Sequence, residues 1–167
     1  EGVIVDQVEP PPEPLARITT AIAQLPAPAL ELVLSRCTEV GAYGFHVFHA
    51  DRSVARGAKV ERWNTICREA AMLAGRLRVP LVEGPSTFDE VLSAAEHPVL
   101  LVRGAPVDLA EMSEPRDLTL LVGPEGGWSE RELGLVATTA GLGPRNLRAD
   151  TAAVVGLAVA LAARRGL

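Results

Sequence analysis

LTLLVGPEGGWSERELGLVATTAGLGPRNLRADTA, from Leu118 to Ala152, is the stretch on which the fold turns. Leu118 to Val122 is a short apolar run of good β-formers, and it stops at Gly123-Pro124-Glu125-Gly126-Gly127. That order reads as a buried strand running into a glycine-rich turn. Ser129 stands three residues before Glu132, the spacing at which hydroxyl and carboxylate cap each other's backbone amides, so a helix is expected to follow at once. Beyond that helix, Gly143 to Thr151 (GPRNLRADT) is the only part of the C-terminal third that is dense in polar side chains outside a helix.

Outward from this stretch, strands and helices alternate. Val99 to Arg103 (VLLVR) reads as a second buried strand. Val79 to Val82 reads as a short edge strand, before a helix from about Thr87 to Ala95 capped by Ser86 or Thr87. Gly44 to His49 alternates as a strand does, and Leu30, Val33, Leu34 and Cys37 recur at helical spacing before Gly41, a natural stop. From Val60 to Leu77 the apolar residues Val60, Trp63, Ile66, Cys67, Ala70, Leu73 and Leu77 define an amphipathic helix with its arginines opposite. Thr151 to Arg165 is apolar almost all round; Asp150 or Thr151 would cap it and Arg164-Arg165-Gly166 end it. A helix without a polar face either threads the core or meets a second subunit. The whole pattern predicts an α/β fold with a mostly parallel sheet and helices on both faces.

The 167 residues are enough for one such domain, and 48% hydrophobic against 4% aromatic residues implies an aliphatic, alanine-rich core. The net charge of −5 argues against a binder that meets nucleic acid with its whole surface. Charge is unevenly spread, however. Arg52 to Arg78 holds seven basic residues against two acidic ones, whereas Glu1 to Glu31 holds five acids against Arg17 alone. Such asymmetry brings a polyanion to one face, and a merely solvated helix face is the plainer alternative. Cys37 and Cys67 form no ligand motif and suit buried thiols in a reducing compartment; His46, His49 and His97 form no metal motif, so no metal is expected. No signal segment or membrane-length apolar run is evident, which predicts a cytoplasmic protein with no membrane partner.

The glycine turn lacks the GK[ST] ending of a phosphate loop and does not fit GxGxxG. What it offers is exposed backbone beside a strand end, unless it is only a tight turn. Gly123 to Ser129 resembles the GPEGG-apolar-Ser loop of the RsmE family of SPOUT methyltransferases, and Leu142 to Ala152 resembles that family's LGxRxLRxETA loop with Asp150 in place of Glu. Weaker similarities lie at Thr38 to Gly41, at Arg52-Ser53-Val54, and at Glu69 to Arg76, where Leu73 and Ala74 replace the family's Gln and Ser. The family also places a strand before its second loop, for which Ala140 to Gly143 leaves no length.

The resemblance implies a knotted (trefoil) fold, a homodimer, and S-adenosylmethionine-dependent methylation of a uridine N3 in small-subunit ribosomal RNA. It implies a cofactor bent between three loops, held by Leu101, Val122, Gly123, Gly126, Gly127, Leu142, Gly143 and Leu147. Removing the imide proton calls for a cation beside the uracil oxygens and a base. Arg148 and Arg145 are the expected cations; Glu125 or Asp150 would take the proton or orient an arginine, and Asp150 serves equally as a helix cap. Arg52, Arg76 and Arg145 are the expected RNA contacts. Residues 1–14, proline-rich and acidic, are expected to be a linker from an N-terminal PUA-like domain, with the methyltransferase domain at 15–167. Two alternatives stand beside this: a related enzyme acting on another nucleotide, and a dimeric RNA-binding module of the same fold without turnover.

Overall fold

The computed structural model describes residues 13–164, so most of the proline-rich segment expected as a linker, and the Arg165-Gly166 end of the last helix, lie outside the described residues. Six parallel strands form one sheet: β1 (Ile18–Ala23), β2 (Gly44–His49), β3 (Leu81–Thr87), β4 (Pro98–Leu101), β5 (Leu118–Val122) and β6 (Thr139–Ala140), in the order β3-β2-β1-β5-β4-β6. The helices are α1 (Ala27–Val40), α2 (Val60–Leu73), α3 (Phe88–Ala94), α4 (Glu130–Leu135) and α5 (Ala149–Ala163), with a 3-10 turn at Leu109–Glu111.

The sheet is covered on both sides, as parallel sheets must be. Every residue of β5 is buried, and the two-residue period splits them. Leu118, Leu120 and Val122 face the larger core under α1, α2 and α5, while Leu121 faces the smaller one with Phe48, Phe88 and Val91. This confirms the α/β class and the parallel sheet with helices on both faces.

β1 is the element that sequence periodicity missed. It lies between β2 and β5 at the centre, with Ile18↔Leu118 and Ile22↔Val122 in register on one side and Thr20↔Phe45 on the other. Burial on both faces removes the alternation that reveals a strand, and ITTAIA is too short and too rich in Ala and Thr to stand out. Its C-terminal end delivers Gln24 and Leu25 to the upper edge of the sheet, where the glycine turn also emerges.

Three further expectations need correction. α2 ends at Leu73 rather than Leu77, because Gly75 takes a left-handed φ of 66° and turns the chain away, so Leu77 lies beyond the helix and is exposed; Leu73, the last helical residue, is exposed too and no part of the buried face of Trp63, Ile66, Cys67, Ala70 and Ala71. A strand does precede the second loop: β6 needs only Thr139 and Ala140, laid against Leu100 and Leu101 of β4 and extended by a bridge from Gly141 to Asp108. Finally, Arg148 occupies the cap position of α5 with no side-chain cap, and Asp150 sits inside the first turn. α5 buries Ala153, Gly156, Leu157, Ala160 and Leu161 against the domain but leaves Val155 exposed, so it is not buried on every face within one chain.

Candidate active site

The glycine turn is shaped by what stands beside it. A Cβ built on Gly123 would lie 2.8 Å from the Trp128 ring, and that ring cannot easily yield. Its indole N–H donates to the Leu101 carbonyl at 2.9 Å, and it stacks on Phe48 with centroids 6.2 Å apart and planes 5° from parallel. Gly127 and Gly143 both take left-handed φ values, 71° and 82°, and an added Cβ at either would meet no protein atom within 4 Å. Both therefore border open space.

α4 is held behind the turn by a buried carboxylate. Ser129 and Glu132 form the expected capping box, and Glu132, fully buried, accepts hydrogen bonds from the amides of Ser129 at 2.8 Å and Asp51 at 2.9 Å. The helix start is thereby stitched to the end of β2. Arg131 clamps the same junction from outside through Asp51 and Asp89, and with Ser129 it holds the Asp51 carboxyl below its ordinary value.

The turn and the second loop close on one cavity of about 530 Å3. Its walls include Leu101, Val122, Gly123, Gly127, Leu142, Gly143 and Leu147, all expected as cofactor contacts, together with Glu125, Arg145 and Arg148. At the mouth, Arg148 Nη2 lies 3.7 Å from Glu125 Oε1 and its Nε 4.0 Å from Asp150 Oδ1, so one arginine spans both loops. Both Arg148 and Glu125 are largely exposed, where such a pair contributes little to stability. Asp150 does not line the cavity; its carboxylate accepts from the Thr151 amide at 2.7 Å and faces Arg148.

Two expected contacts fall elsewhere. Gly126 turns its back on this cavity: its carbonyl accepts from Arg52 Nη1 at 3.1 Å, and a Cβ built on it would lie 3.2 Å from Arg52 Cβ. Arg76 is a structural residue rather than an RNA contact. Its side chain is 7% exposed, pairs with Glu13 at 2.6 Å and donates to the carbonyls of Thr38 and Ala42, which ties α1 to the turn after α2. Arg52 does reach open space, in a second cavity of about 470 Å3 on the other side of the glycine turn. The cavity residues that sequence reasoning passed over are Val102, Arg103, Leu133, Asn146 and Ala152 around the first cavity, and Gln24, Arg56, Lys59 and Trp63 around the second. Three of these carried a local signal: Asn146 inside the polar loop, and Arg56 and Lys59 inside the basic stretch from Arg52 to Arg78.

Among the described residues no group of three His, Cys, Asp or Glu is placed to hold a metal ion, and no helix is long and apolar enough to cross a membrane.

Comparison with known proteins agrees with this geometry. Residues 11–161 match the family model described as RNA methyltransferase domain. The chain is 33% identical over 156 residues to the ribosomal RNA small subunit methyltransferase E of Synechocystis sp., covering 84% of this chain and 52% of that protein. It is also 33% identical over 150 residues to the protein of the same name from Bacillus subtilis, covering 77% and 59%. The crystal structure of the Neisseria gonorrhoeae methyltransferase E bound to S-adenosyl methionine superposes with a TM-score of 0.82 at 25% identity, over 88% of this chain and 66% of that one. This chain thus spans between half and six-tenths of the two curated relatives' length. The family-model match over residues 11–161, and the two loops closing on one cavity, bear out the resemblance carried by Gly123 to Ser129 and Leu142 to Ala152: the chain belongs to the RNA methyltransferase domain family.

Proposed function

We propose that this domain transfers a methyl group from S-adenosylmethionine to N3 of a uridine in small-subunit ribosomal RNA. The observation that carries the reading is the single cavity shared by the glycine turn and the arginine loop, with Glu125 and Arg148 facing each other across its mouth. The cavity suits the cofactor because Gly127 and Gly143 open it, and because Leu101, Val122, Leu142 and Leu147 supply apolar wall while Arg145, Asn146 and backbone groups supply polar contacts. When bound there, the cofactor supplies an electrophilic methyl group.

The chain's own residues would then do four things. Arg148, free to leave a weak exposed pair, lies close to negative charge that develops on the uracil oxygens as N3 loses its proton. Glu125 accepts that proton. Asp150 keeps the Arg148 guanidinium at the mouth, and Arg145, which makes no ion pair among the described residues, draws in the RNA backbone. Leu73 and Ala74, the departures from the family pattern, line neither cavity, which speaks for an enzyme over a binding module. The half-covered face of α5, with Val155 exposed, suits a second copy of the chain, and a ribosomal RNA substrate is in keeping with a cytoplasmic protein.

Calorimetry with S-adenosylmethionine, then methyl transfer to unmodified small-subunit RNA, tests this. Binding, with transfer to uridine N3 that Arg148→Ala abolishes, is expected. Failure to bind the cofactor ends the enzyme reading, and methylation of another nucleotide ends the N3 assignment.

A further inference from the structure

The second cavity has no part in the cofactor reading. It is framed by the end of β1, the start of α1, the loop after β2 and the first turn of α2, and it meets the first cavity only through Pro124 and Glu125, which line both. Three independent features there point to one kind of ligand. Its wall is apolar and half-enclosed, with Leu25, Val54 and Trp63. Its rim is cationic, with Arg52, Arg56 and Lys59 outnumbering Glu125, and α2, which begins behind Lys59, starts without a side-chain cap, which leaves first-turn amides for an anion. Glu31, whose carboxylate feels Lys59, is already paired with Arg62 at 2.9 Å.

The third feature is Gln24. Only 5% exposed, it sits at the end of β1 with its amide nitrogen donating to the Gly57 carbonyl, while its Oε1 is buried without a partner among the described residues. A buried amide acceptor left open carries an unrecovered desolvation cost, which a ligand that supplies an N–H there recovers.

We propose that this cavity seats a single unstacked nucleotide of the RNA, its base against Trp63 and Val54 with an N–H toward Gln24, and its phosphate against Arg56, Lys59 and the start of α2. Its edge at Pro124 and Glu125 then brings the base to the side of the glycine turn opposite the cofactor cavity. This base is a neighbour of the methyl acceptor rather than the acceptor itself, because a uridine's single N–H is N3–H and cannot both face Gln24 and be given up to Glu125; calling it a neighbour rests on the methyltransferase reading, and the nucleotide seat itself does not.

The test uses the full chain and UMP, uridine and inorganic phosphate as probes, followed by the Trp63 indole proton resonance, which Trp128→Phe assigns. UMP is expected to shift that resonance saturably, with uridine and phosphate each weaker, and S-adenosylmethionine is expected not to displace it. Arg56→Ala with Lys59→Ala lowers UMP affinity roughly tenfold or more, with affinity for S-adenosylmethionine unchanged. Gln24→Leu weakens uridine but not phosphate. No saturable shift with UMP, displacement by S-adenosylmethionine, or equal UMP affinity in the double variant overturns the proposal, and phosphate binding as tightly as UMP reduces the cavity to an anion site and overturns it too. UMP binding without S-adenosylmethionine binding leaves the seat standing and removes the methyltransferase reading; the reverse pattern removes the seat alone.

Discussion

Gly123→Ala is the sharpest probe of how the glycine turn is built. The added methyl would stand 2.8, 3.1 and 3.2 Å from three atoms of the Trp128 ring, inside van der Waals contact at each. Gly123 does not take a left-handed φ, so backbone strain plays no part and the effect is purely one of space. Trp128 is pinned on both sides, by Phe48 and Phe88 rings at 6.2 and 5.7 Å and by its bond to the Leu101 carbonyl. Overpacking of a fitted site costs about 1–3 kcal/mol, and giving up the indole bond adds about 1 kcal/mol. A loss of about 2–4 kcal/mol on urea unfolding follows from those two contributions. Tryptophan emission should shift as the Trp128 ring moves, and because Trp128 and Leu101 both line the first cavity, affinity for S-adenosylmethionine should fall as well. Gly134→Ala is the control: it lies in α4 with no atom within 4 Å of the new methyl, and helix propensity predicts a gain of up to about 1 kcal/mol. Gly123→Ala that is as stable as the parent, with Trp128 emission unmoved, would refute the steric account.

Glu132→Ala removes a fully buried carboxylate and strands the amides of Ser129 and Asp51, which should cost about 3 kcal/mol in urea unfolding while methyl transfer per folded molecule changes less than with Arg148→Ala. Arg148→Ala should do the opposite, altering stability by less than about 1 kcal/mol because its pairs are exposed, yet lowering the methyl-transfer rate by about a hundredfold or more. Glu13 predicts an acid limb in the stability curve. Partial burial works against its ionised form, but the Arg76 guanidinium and the Leu77 and Arg78 amides outweigh it and hold the folded carboxyl below its ordinary 4.5. Its contribution is therefore complete above 4.5 and fades as pH falls through the folded value, so Glu13→Gln should flatten that limb. Burial pushes both the Cys37 and Cys67 thiols up, so a thiol reagent at neutral pH should label neither until the protein is unfolded; rapid labelling of the native chain would contradict their placement.

What the sequence determined by itself is whatever a few neighbouring residues decide. Leu118–Val122 had to be a strand and Ser129 a helix start, because an unbroken apolar run and a hydroxyl three residues from a carboxylate act within one turn of chain. Thr87 and Glu90 repeat that box at α3. Gly123 to Ser129 and Leu142 to Ala152 likewise carried the family, because each is a short run whose order of glycine, proline and arginine is legible without knowing what packs against it.

Tertiary structure alone decided what distant partners do. Arg76 looked like a substrate arginine until Glu13, 63 residues away, took its charge. Leu77 kept helical spacing, yet the turn at Gly75 took it off the helix and into solvent, and Leu73 ended up exposed at the helix's last position. β1 was invisible because both its faces are covered by elements remote in sequence, and with it went Gln24 and the second cavity. Local pattern records which conformation a segment prefers, whereas burial and charge compensation are set by which segments meet, and that is settled only when the sheet is assembled.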